Sequence, residues 1–119
     1  MKQIPADLDL DLLQGRQVEM VCFAAYSVDL HLDAGMTIHV EGRYLHHGQS
    51  DSDTASEIEL PVAYSALPRL ISSEILSAQA DASANLTLRF SNGDLLRLLI
   101  SDGPYESYQI KIGDNEFVI

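Results

Sequence analysis

Apolar and polar residues alternate along several stretches, and the clearest of these runs from Asn85 to Ser101. Apolar residues at every second position from Leu86 to Phe90 are typical of a strand that buries one face and exposes the other. A turn at Ser91-Asn92-Gly93 follows. A three-residue loop with the glycine in the left-handed region, and a bulge after it, pairs Leu88 with Leu96, whereas a two-residue loop mixes polar and apolar side chains. The pattern predicts a β-hairpin with one apolar face.

The same arrangement occurs earlier, from Ser27 to Glu41, where Gly35 lies 58 residues before Gly93. A comparable leading segment precedes each hairpin, at Gly15–Val21 and at Ser73–Ala78, with an offset of 57. We interpret the chain as two related halves rather than as a long repeat array, which would need more copies. The alternative is that two antiparallel hairpins simply look alike.

A third hairpin is predicted at the C-terminal end. Tyr108, Ile110 and Ile112 alternate with polar residues, and Gly113-Asp114-Asn115 forms the turn. A loop at Asp114-Asn115 would return Phe117 and Ile119 on the same face, so that the last residue lies in the sheet.

The remaining segments carry weaker patterns. The alternation from Asp7 to Leu12 fits a short edge strand with a charged outer face, or one helical turn begun at Asp7. Gln17–Ala25 resembles a strand covered on both faces. The strand after Val40 is predicted to continue to Leu45, and His46–Ser56 has the composition of a loop that joins the halves.

Two further elements are predicted after this loop. Glu57–Pro61 could form a brief strand, ended by its proline. Val62–Ile71 is the best helix candidate, with Leu67, Leu70 and Ile71 on one face and Ser65 as cap. The small residues of Ala78–Ala84 would allow close packing against the backbone or form a loose connection.

Together these elements predict a mainly β (α+β) fold, an antiparallel sheet arranged as a sandwich or partly open barrel. Residues 1–119 would form a single domain, with related halves at about 8–46 and 60–102, one short helix, and a C-terminal hairpin at 105–119. The length suits one core without metal or disulfide support, and a hydrophobic content of 46% excludes global disorder.

Location and redox state follow from what the sequence contains. No apolar run approaches the length of a membrane span, and Met1–Gln14 carries three aspartates where a signal peptide would be basic and then apolar. We therefore expect a cytoplasmic protein. Cys22 is the single cysteine, which excludes an internal disulfide and predicts a buried inert thiol.

The charge balance is strongly acidic, with 18 acidic against 7 basic residues and a net charge of −11. This balance argues against direct binding of nucleic acid or anionic lipid, because phosphate contacts require lysine and arginine. It permits a basic protein partner, which such a field would steer. The alternative is that the acidity serves only solubility.

Candidate chemistry is sparse. Asp29, His31 and His39 are predicted on the polar face of the first hairpin, with Asp29 opposite His39, and three such groups could hold zinc. No metal-binding spacing supports that interpretation, and polar residues on an exposed strand face need no special role. No nucleophile motif or phosphate loop occurs. We therefore predict no catalytic residues, no metal, no cofactor and no enzymatic activity.

Two acidic segments are the predicted partner-binding surface. A charged loop and an aromatic, acidic turn contain residue types found at protein-binding rims, where tyrosine is a frequent anchor. The alternative is a solvated loop and a proline turn. The candidate partner-binding residues are Asp51, Asp53, Glu57, Glu59, Asp102, Tyr105, Glu106 and Tyr108.

Four motifs carry a resemblance to a known family. They are Leu-x-Gly-Arg-x-Val at residues 13–18, Ile38-His39-Val40-Glu41-Gly42, Leu88-Arg89-Phe90-Ser91-Asn92-Gly93-Asp94 and Tyr105-Glu106-Ser107-Tyr108. In them the chain resembles small duplicated bacterial domains of unknown function, some of which look like immunity proteins encoded beside secreted toxins. The resemblance implies a cytoplasmic bacterial protein that binds and blocks a toxin domain, and it brings no catalytic residues.

Three hypotheses follow from the sequence. The first is a non-catalytic immunity protein, monomer or homodimer, that neutralises a basic, nucleic-acid-cleaving toxin by charge complementarity and steric occlusion. The second is a structural or housekeeping domain that self-associates through an exposed strand edge and has no toxin partner. The third is a small enzyme whose site leaves no motif.

Overall fold

Two five-stranded antiparallel sheets form the fold, as the mainly β prediction required. The computed structural model describes residues 4–48, 67–100 and 107–119, together with the backbone of 56–58. Sheet 1 has the order β1-β2-β3-β9-β10 and sheet 2 the order β5-β4-β8-β7-β6. The strands are β1 (Val18–Phe23), β2 (Val28–Leu32), β3 (Met36–Val40), β4 (Tyr44–His47), β5 (Ser56–Ile58), β6 (Ile75–Ala80), β7 (Leu86–Phe90), β8 (Leu95–Leu98), β9 (Tyr108–Ile112) and β10 (Asn115–Val118).

Both predicted hairpin registers are confirmed. Leu88 pairs with Leu96 in the second hairpin, and Leu30 pairs with Ile38 in the first. Gly35 and Gly93 have φ values of 72° and 92°, so each occupies the left-handed region that favours glycine. The apolar rows of β2, β3, β7 and β8 are buried, because each register places every second residue of its two strands on the same face.

Each half of the chain exchanges a hairpin with the other half. After β3 the chain crosses into sheet 2 as β4 and β5, and after β8 it returns to sheet 1 as β9 and β10. Gly42 lies at the first crossing, where its N–H donates to Ser107 O at 3.0 Å. A Cβ at Gly42 would lie 3.3 Å from the same oxygen, so the crossing favours a residue without a side chain.

The two halves also exchange backbone hydrogen bonds where β1 and β6 begin. Gly15 N–H donates to Ile75 O at 2.7 Å, and Ser72 N–H donates to Val18 O at 2.8 Å. These donors and acceptors are related by the same offset of 57 residues as the leading segments. Gln17 and Glu74, which share that offset, face each other in an isolated bridge. The described contacts therefore relate the halves by an approximate two-fold rotation.

Two tyrosines occupy equivalent places at the starts of the exchanged hairpins. Tyr44 pairs with Leu98 and Tyr108 pairs with Val40, and both rings are fully buried between the sheets. The Tyr108 hydroxyl donates to Ala84 O at 2.8 Å, which satisfies its polar atom inside the core. Burial, and then the charge of Asp81, raise the pKa of Tyr108.

The helical segments of the described residues are single 3₁₀ turns. The N-terminal alternation forms one at Leu10–Leu13, where Asp9 accepts from Asp11 N–H and caps it, so the alternative of one helical turn is closer to the structure than the edge strand. Of the helix predicted at 62–71, the described residues contain only a second 3₁₀ turn at Leu67–Leu70. Ile71 is exposed rather than on the buried face, and residues 62–66 lie outside the described part. Neither 3₁₀ turn has the length of a membrane-crossing helix.

Several strand predictions also require correction. β1 is an edge strand of sheet 1, and it is not covered on both faces, since Met20 and Phe23 are 49% and 45% exposed. The strand after Val40 does not continue, because the chain changes sheets there, and the residues at 46–47 belong to β4 rather than to a loop. The brief strand after the loop is present as β5. The last turn is Gly113-Asp114, since Ile112 pairs with Asn115.

Candidate functional site

Most of the predicted partner-binding residues lie outside the described part of the chain. These are Asp51, Asp53, Glu59, Asp102, Tyr105 and Glu106. Glu57 belongs to β5, of which only the backbone is described. For these residues the partner-binding assignment stays a prediction. For Tyr108 it is wrong, because the ring is fully buried and its hydroxyl is bonded to Ala84.

The outer face of sheet 1 carries the predicted histidines. His39 lies opposite Asp29, as predicted, and its Nδ1 donates to Asp29 Oδ1 while its Nε2 donates to Glu41 Oε1 at 3.0 Å. His31 Nδ1 instead forms a hydrogen bond with Thr37 Oγ1 at 3.3 Å. No group of three metal-ligating side chains is found among the described residues, so the zinc arrangement weighed from the sequence does not form there.

The two carboxylates change the protonation of His39. Partial burial of the ring lowers its pKa, but hydrogen bonds to Asp29 and Glu41 outweigh that effect and raise the pKa above 6.5. A raised pKa means that folding favours the protonated ring. The stabilisation is therefore complete below pH 6.5 and is lost as pH rises through the folded-state pKa.

We expect Glu41→Gln to lower the pKa of His39, because it removes one of the two carboxylates that hold the imidazolium. NMR titration of the His39 ring protons measures this shift. Glu74→Gln, which neutralises an exposed carboxylate in the other half, is the control and should leave the His39 titration unchanged. An unchanged His39 pKa in Glu41→Gln would contradict a contribution of the Glu41 carboxylate to the protonation of His39.

A second cluster, which the sequence did not predict, lies between β4, the β7–β8 turn and the second 3₁₀ turn, with His46 and Asp94 buried and Arg69 44% exposed. His46 Nε2 donates to Asp94 Oδ2 at 2.7 Å, and Arg69 donates to both Asp94 oxygens at 3.1 Å. The side chains of His46 and Asp94 are each only 3% exposed. Burial raises the pKa of Asp94, but the hydrogen bonds from His46 and Arg69 outweigh it and hold the pKa below its usual range.

The equivalent positions of the other half are apolar. His46 pairs with Leu96, three residues after Gly93, and Ile110 pairs with Ile38, three residues after Gly35. With the offset of 58 between the hairpins Met36 matches Asp94, and with the offset of 57 between the leading segments Leu12 matches Arg69. The architecture is thus compatible with the polar residues of the cluster and with the apolar residues at the equivalent positions. The sequence signal for the cluster is the difference between the two halves at these positions.

The geometry of this cluster suits a structural link between elements rather than an active site. An acid and a base are adjacent, but a carboxylate and imidazole that are 97% covered offer no access to a substrate. The Asn92 amide adds a further link, since its Nδ2 donates to Arg69 O at 3.2 Å and its Oδ1 accepts from Asp94 N–H at 2.9 Å. The cluster therefore joins the exchanged strand β4 to the second half.

An open groove of about 530 Å³ lies between the N-terminal segment and the edge strand β6. We call its apolar lining residues Ile4, Leu8, Leu10, Ala78 and Ala80 the floor, and the carboxylates Asp9 and Asp11, which begin the first 3₁₀ turn, the rim. Because β6 is an edge strand of sheet 2, the groove follows a backbone that lacks a neighbouring strand. The lining residues are Ile4, Leu8, Asp9, Leu10, Asp11, Ala78, Gln79 and Ala80.

The width of the groove depends on small side chains. Ala78 and Ala80 correspond to Val21 and Phe23 of the first half, by the offset of 57 that relates β1 to β6. The groove therefore lies where one half has alanines and the other has larger side chains. The small residues of 78–80 do allow close packing, as one interpretation of the sequence predicted, since the N-terminal segment lies against them.

The positive charges of the described part are largely used internally. Arg16 pairs with Asp33 at 3.8 Å, Arg97 with Asp81 at 2.8 Å, and Arg69 belongs to the buried cluster. The exposed carboxylates outnumber the remaining cations, and the acidic character predicted from composition is therefore a property of the surface. The exposed acidic residues outside these pairs include Asp7, Asp9, Asp11, Glu19, Glu74, Asp114 and Glu116.

Comparison with known proteins provides no relative. No family model, no curated protein and no solved structure matches the chain.

Proposed function

We propose that this chain is a non-catalytic cytoplasmic binding protein of the bacterial immunity type, which captures a basic effector domain and blocks it. The observation that supports this proposal most is the distribution of charge. At least three of the six arginines and lysines with described side chains are paired with carboxylates of the same chain, while acidic side chains remain on the surface. Such a surface attracts a cationic protein and repels phosphate.

The mechanism would combine steering with occlusion. A net charge of −11 accelerates encounter with a basic protein, especially at low salt, and the rigid two-sheet body then covers the effector's substrate-binding face. An effector that cleaves nucleic acid suits this partner, because its own substrate site must be positively charged. The proposal requires no catalytic residue from this chain.

The test begins with the genes beside this one. A secreted-toxin reading frame there supplies the candidate effector, and co-expression should restore growth to cells that the effector alone kills. Affinity for the purified effector should fall steeply between 50 and 500 mM salt, roughly tenfold or more. Failure of the chain to bind or neutralise that effector would refute the proposal, and salt-independent binding would refute charge-led capture.

A separate variant tests whether the predicted acidic loop contacts the effector. Replacing Asp51, Asp53, Glu57 and Glu59 together by serine and asparagine should weaken effector binding if the loop is in contact. Unchanged binding and protection would exclude the loop from the interface while leaving the proposal itself intact.

A second candidate is a structural domain that self-associates without an effector. The apolar side chains of Met20, Phe23 and Tyr26 are exposed on and just after the edge strand β1, and burial of such residues is one driving force for association. Sedimentation at several concentrations distinguishes the candidates. A stable dimer that is lost in Met20→Ser/Phe23→Ser, with no effector bound, would favour the second.

A further inference from the structure

We propose that the groove between the N-terminal segment and β6 is the contact site for the basic partner, and that it receives an extended segment in which lysine or arginine alternates with apolar residues. This inference rests on the proposed function and specifies its contact surface. It depends on described residues only, and it places the interface outside the loop and turn that the sequence favoured.

The apolar floor provides the first reason. Ile4, Leu8 and Leu10 from one side and Ala78 and Ala80 from the other line the groove. Ala78 and Ala80 are smaller than Val21 and Phe23, which occupy the equivalent positions of the first half, so they leave space beside β6. An apolar side chain that enters this space would be removed from water, which favours binding.

The charge of the rim provides the second reason. Asp9 and Asp11 line the groove, and the described residues that line it include no lysine or arginine. One oxygen of Asp9 already accepts the Asp11 N–H at 3.0 Å, but its other oxygen and the exposed Asp11 carboxylate are available to a partner's cation. An anionic peptide would meet like charges here, so the rim selects a basic occupant.

The edge strand determines the shape of that occupant. β6 pairs with β7 on one side, and the groove lies along its other side. An extended segment can add to such an edge through backbone hydrogen bonds, and its alternate side chains then point to opposite faces. In this arrangement apolar residues face the floor and cationic residues face the rim.

A synthetic eight-residue peptide of alternating lysine and leucine, acetylated and amidated, is the probe, with a glutamate–leucine peptide as the charge control. NMR chemical shifts of the ¹⁵N-labelled full chain map where the probe binds. We expect perturbations concentrated at residues 8–11 and 78–80 and no binding of the glutamate peptide. Perturbations elsewhere, or equal binding of both peptides, would overturn the inference.

Variants test the groove directly. Ala78→Tyr fills the floor and should weaken the probe at least tenfold, whereas Ala78→Ser keeps the space and should change affinity by less than threefold. Asp11→Lys reverses one rim charge and should weaken binding about tenfold by charge repulsion. Asp114→Lys makes the same charge change on the turn before β10 and is the matched control. Equal affinities of Asp11→Lys and Asp114→Lys would refute a rim contact even if Ala78→Tyr did not fold.

Effector binding to the unaltered chain and to the groove variants tests this inference separately from the proposed function on which it rests. If the effector binds the unaltered chain and also binds Ala78→Tyr and Asp11→Lys equally well, the immunity function stands and the groove is not its contact. If the effector does not bind the unaltered chain, the function itself fails, whatever the probe peptide does.

Discussion

His46→Ile is expected to destabilise the fold by about 3 kcal/mol, because it removes a hydrogen-bond donor from a buried carboxylate. The Asp94 carboxylate, 3% exposed, would keep Arg69 but lose the 2.7 Å hydrogen bond from the imidazole. Isoleucine at this position is not itself incompatible with the architecture, since Ile110 occupies the equivalent place in the other half. The expected cost is therefore the hydrogen bond that Asp94 loses and not the shape of the new side chain.

The triple variant His46→Ile/Asp94→Met/Arg69→Leu copies the apolar set of the other half and should recover most of this loss. Replacing a whole buried ion cluster by packed apolar residues is often neutral or stabilising, so we expect stability within about 1 kcal/mol of the original chain. Urea unfolding measures both changes. His47→Ile, an adjacent substitution on the outer face of β4, is the control and should change stability by less than about 0.5 kcal/mol.

Acid sensitivity gives a further readout of the same cluster. The folded-state pKa of Asp94 is lowered, so its contribution to stability is present above the unfolded-state pKa and is lost as pH falls through the folded-state value. The triple variant lacks this carboxylate and should lose less stability than the original chain on acidification. A triple variant that is no more stable than His46→Ile would show that the halves are not interchangeable here.

The hairpins could be predicted from the sequence because each register is encoded locally. Only one loop length places Leu30 opposite Ile38, or Leu88 opposite Leu96, on a uniformly apolar face, and Gly35 and Gly93 adopt the positive φ that this loop requires. The tail was predicted as a hairpin for the same reason. Its turn was placed one residue too late, because Gly113-Asp114 and Asp114-Asn115 both return apolar residues to the same face.

The exchange of hairpins between sheets could not be predicted from these patterns. β3 and β4 are both apolar on alternate positions, so the residues from Met36 to His47 are equally compatible with one long strand. What separates the two strands is the close approach of Gly42 to Ser107, a contact between residues far apart in the chain. The helix predicted over 62–71 differs from the structure in its described end, where Leu67–Leu70 forms a 3₁₀ turn, because the apolar spacing does not distinguish one turn from several.

The buried cluster was missed because its members are distant in sequence and individually ordinary. His46 was assigned to a loop by its neighbours, and neither Arg69 nor Asp94 carries a local signal. The groove at β6 was foreseen only as small residues that permit close packing. A position-by-position comparison with β1, where Val21 and Phe23 occupy the equivalent places, distinguishes Ala78 and Ala80 from a loose connection.

A chain that ends at Gly113 is expected to lose about 4 kcal/mol of stability, the sum of buried apolar surface and lost strand pairing. Ile119 is 5% exposed, and its carbonyl oxygen accepts from Ser107 N–H at 2.8 Å and from Tyr108 N–H at 3.3 Å. Its own N–H donates to Tyr108 O at 2.9 Å. Removal of β10 would therefore also uncover β9, the strand that carries the buried ring of Tyr108.

Thermal unfolding followed by circular dichroism should show a Tm lower by roughly 15 °C for the shortened chain, at about 4 °C per kcal/mol for a domain of this size. Ile119→Ser and Val118→Ser form a matched pair, because Val118 is 46% exposed. Ile119→Ser should be clearly destabilising and Val118→Ser should not. An unchanged Tm after truncation would contradict the docking of β10 against β9.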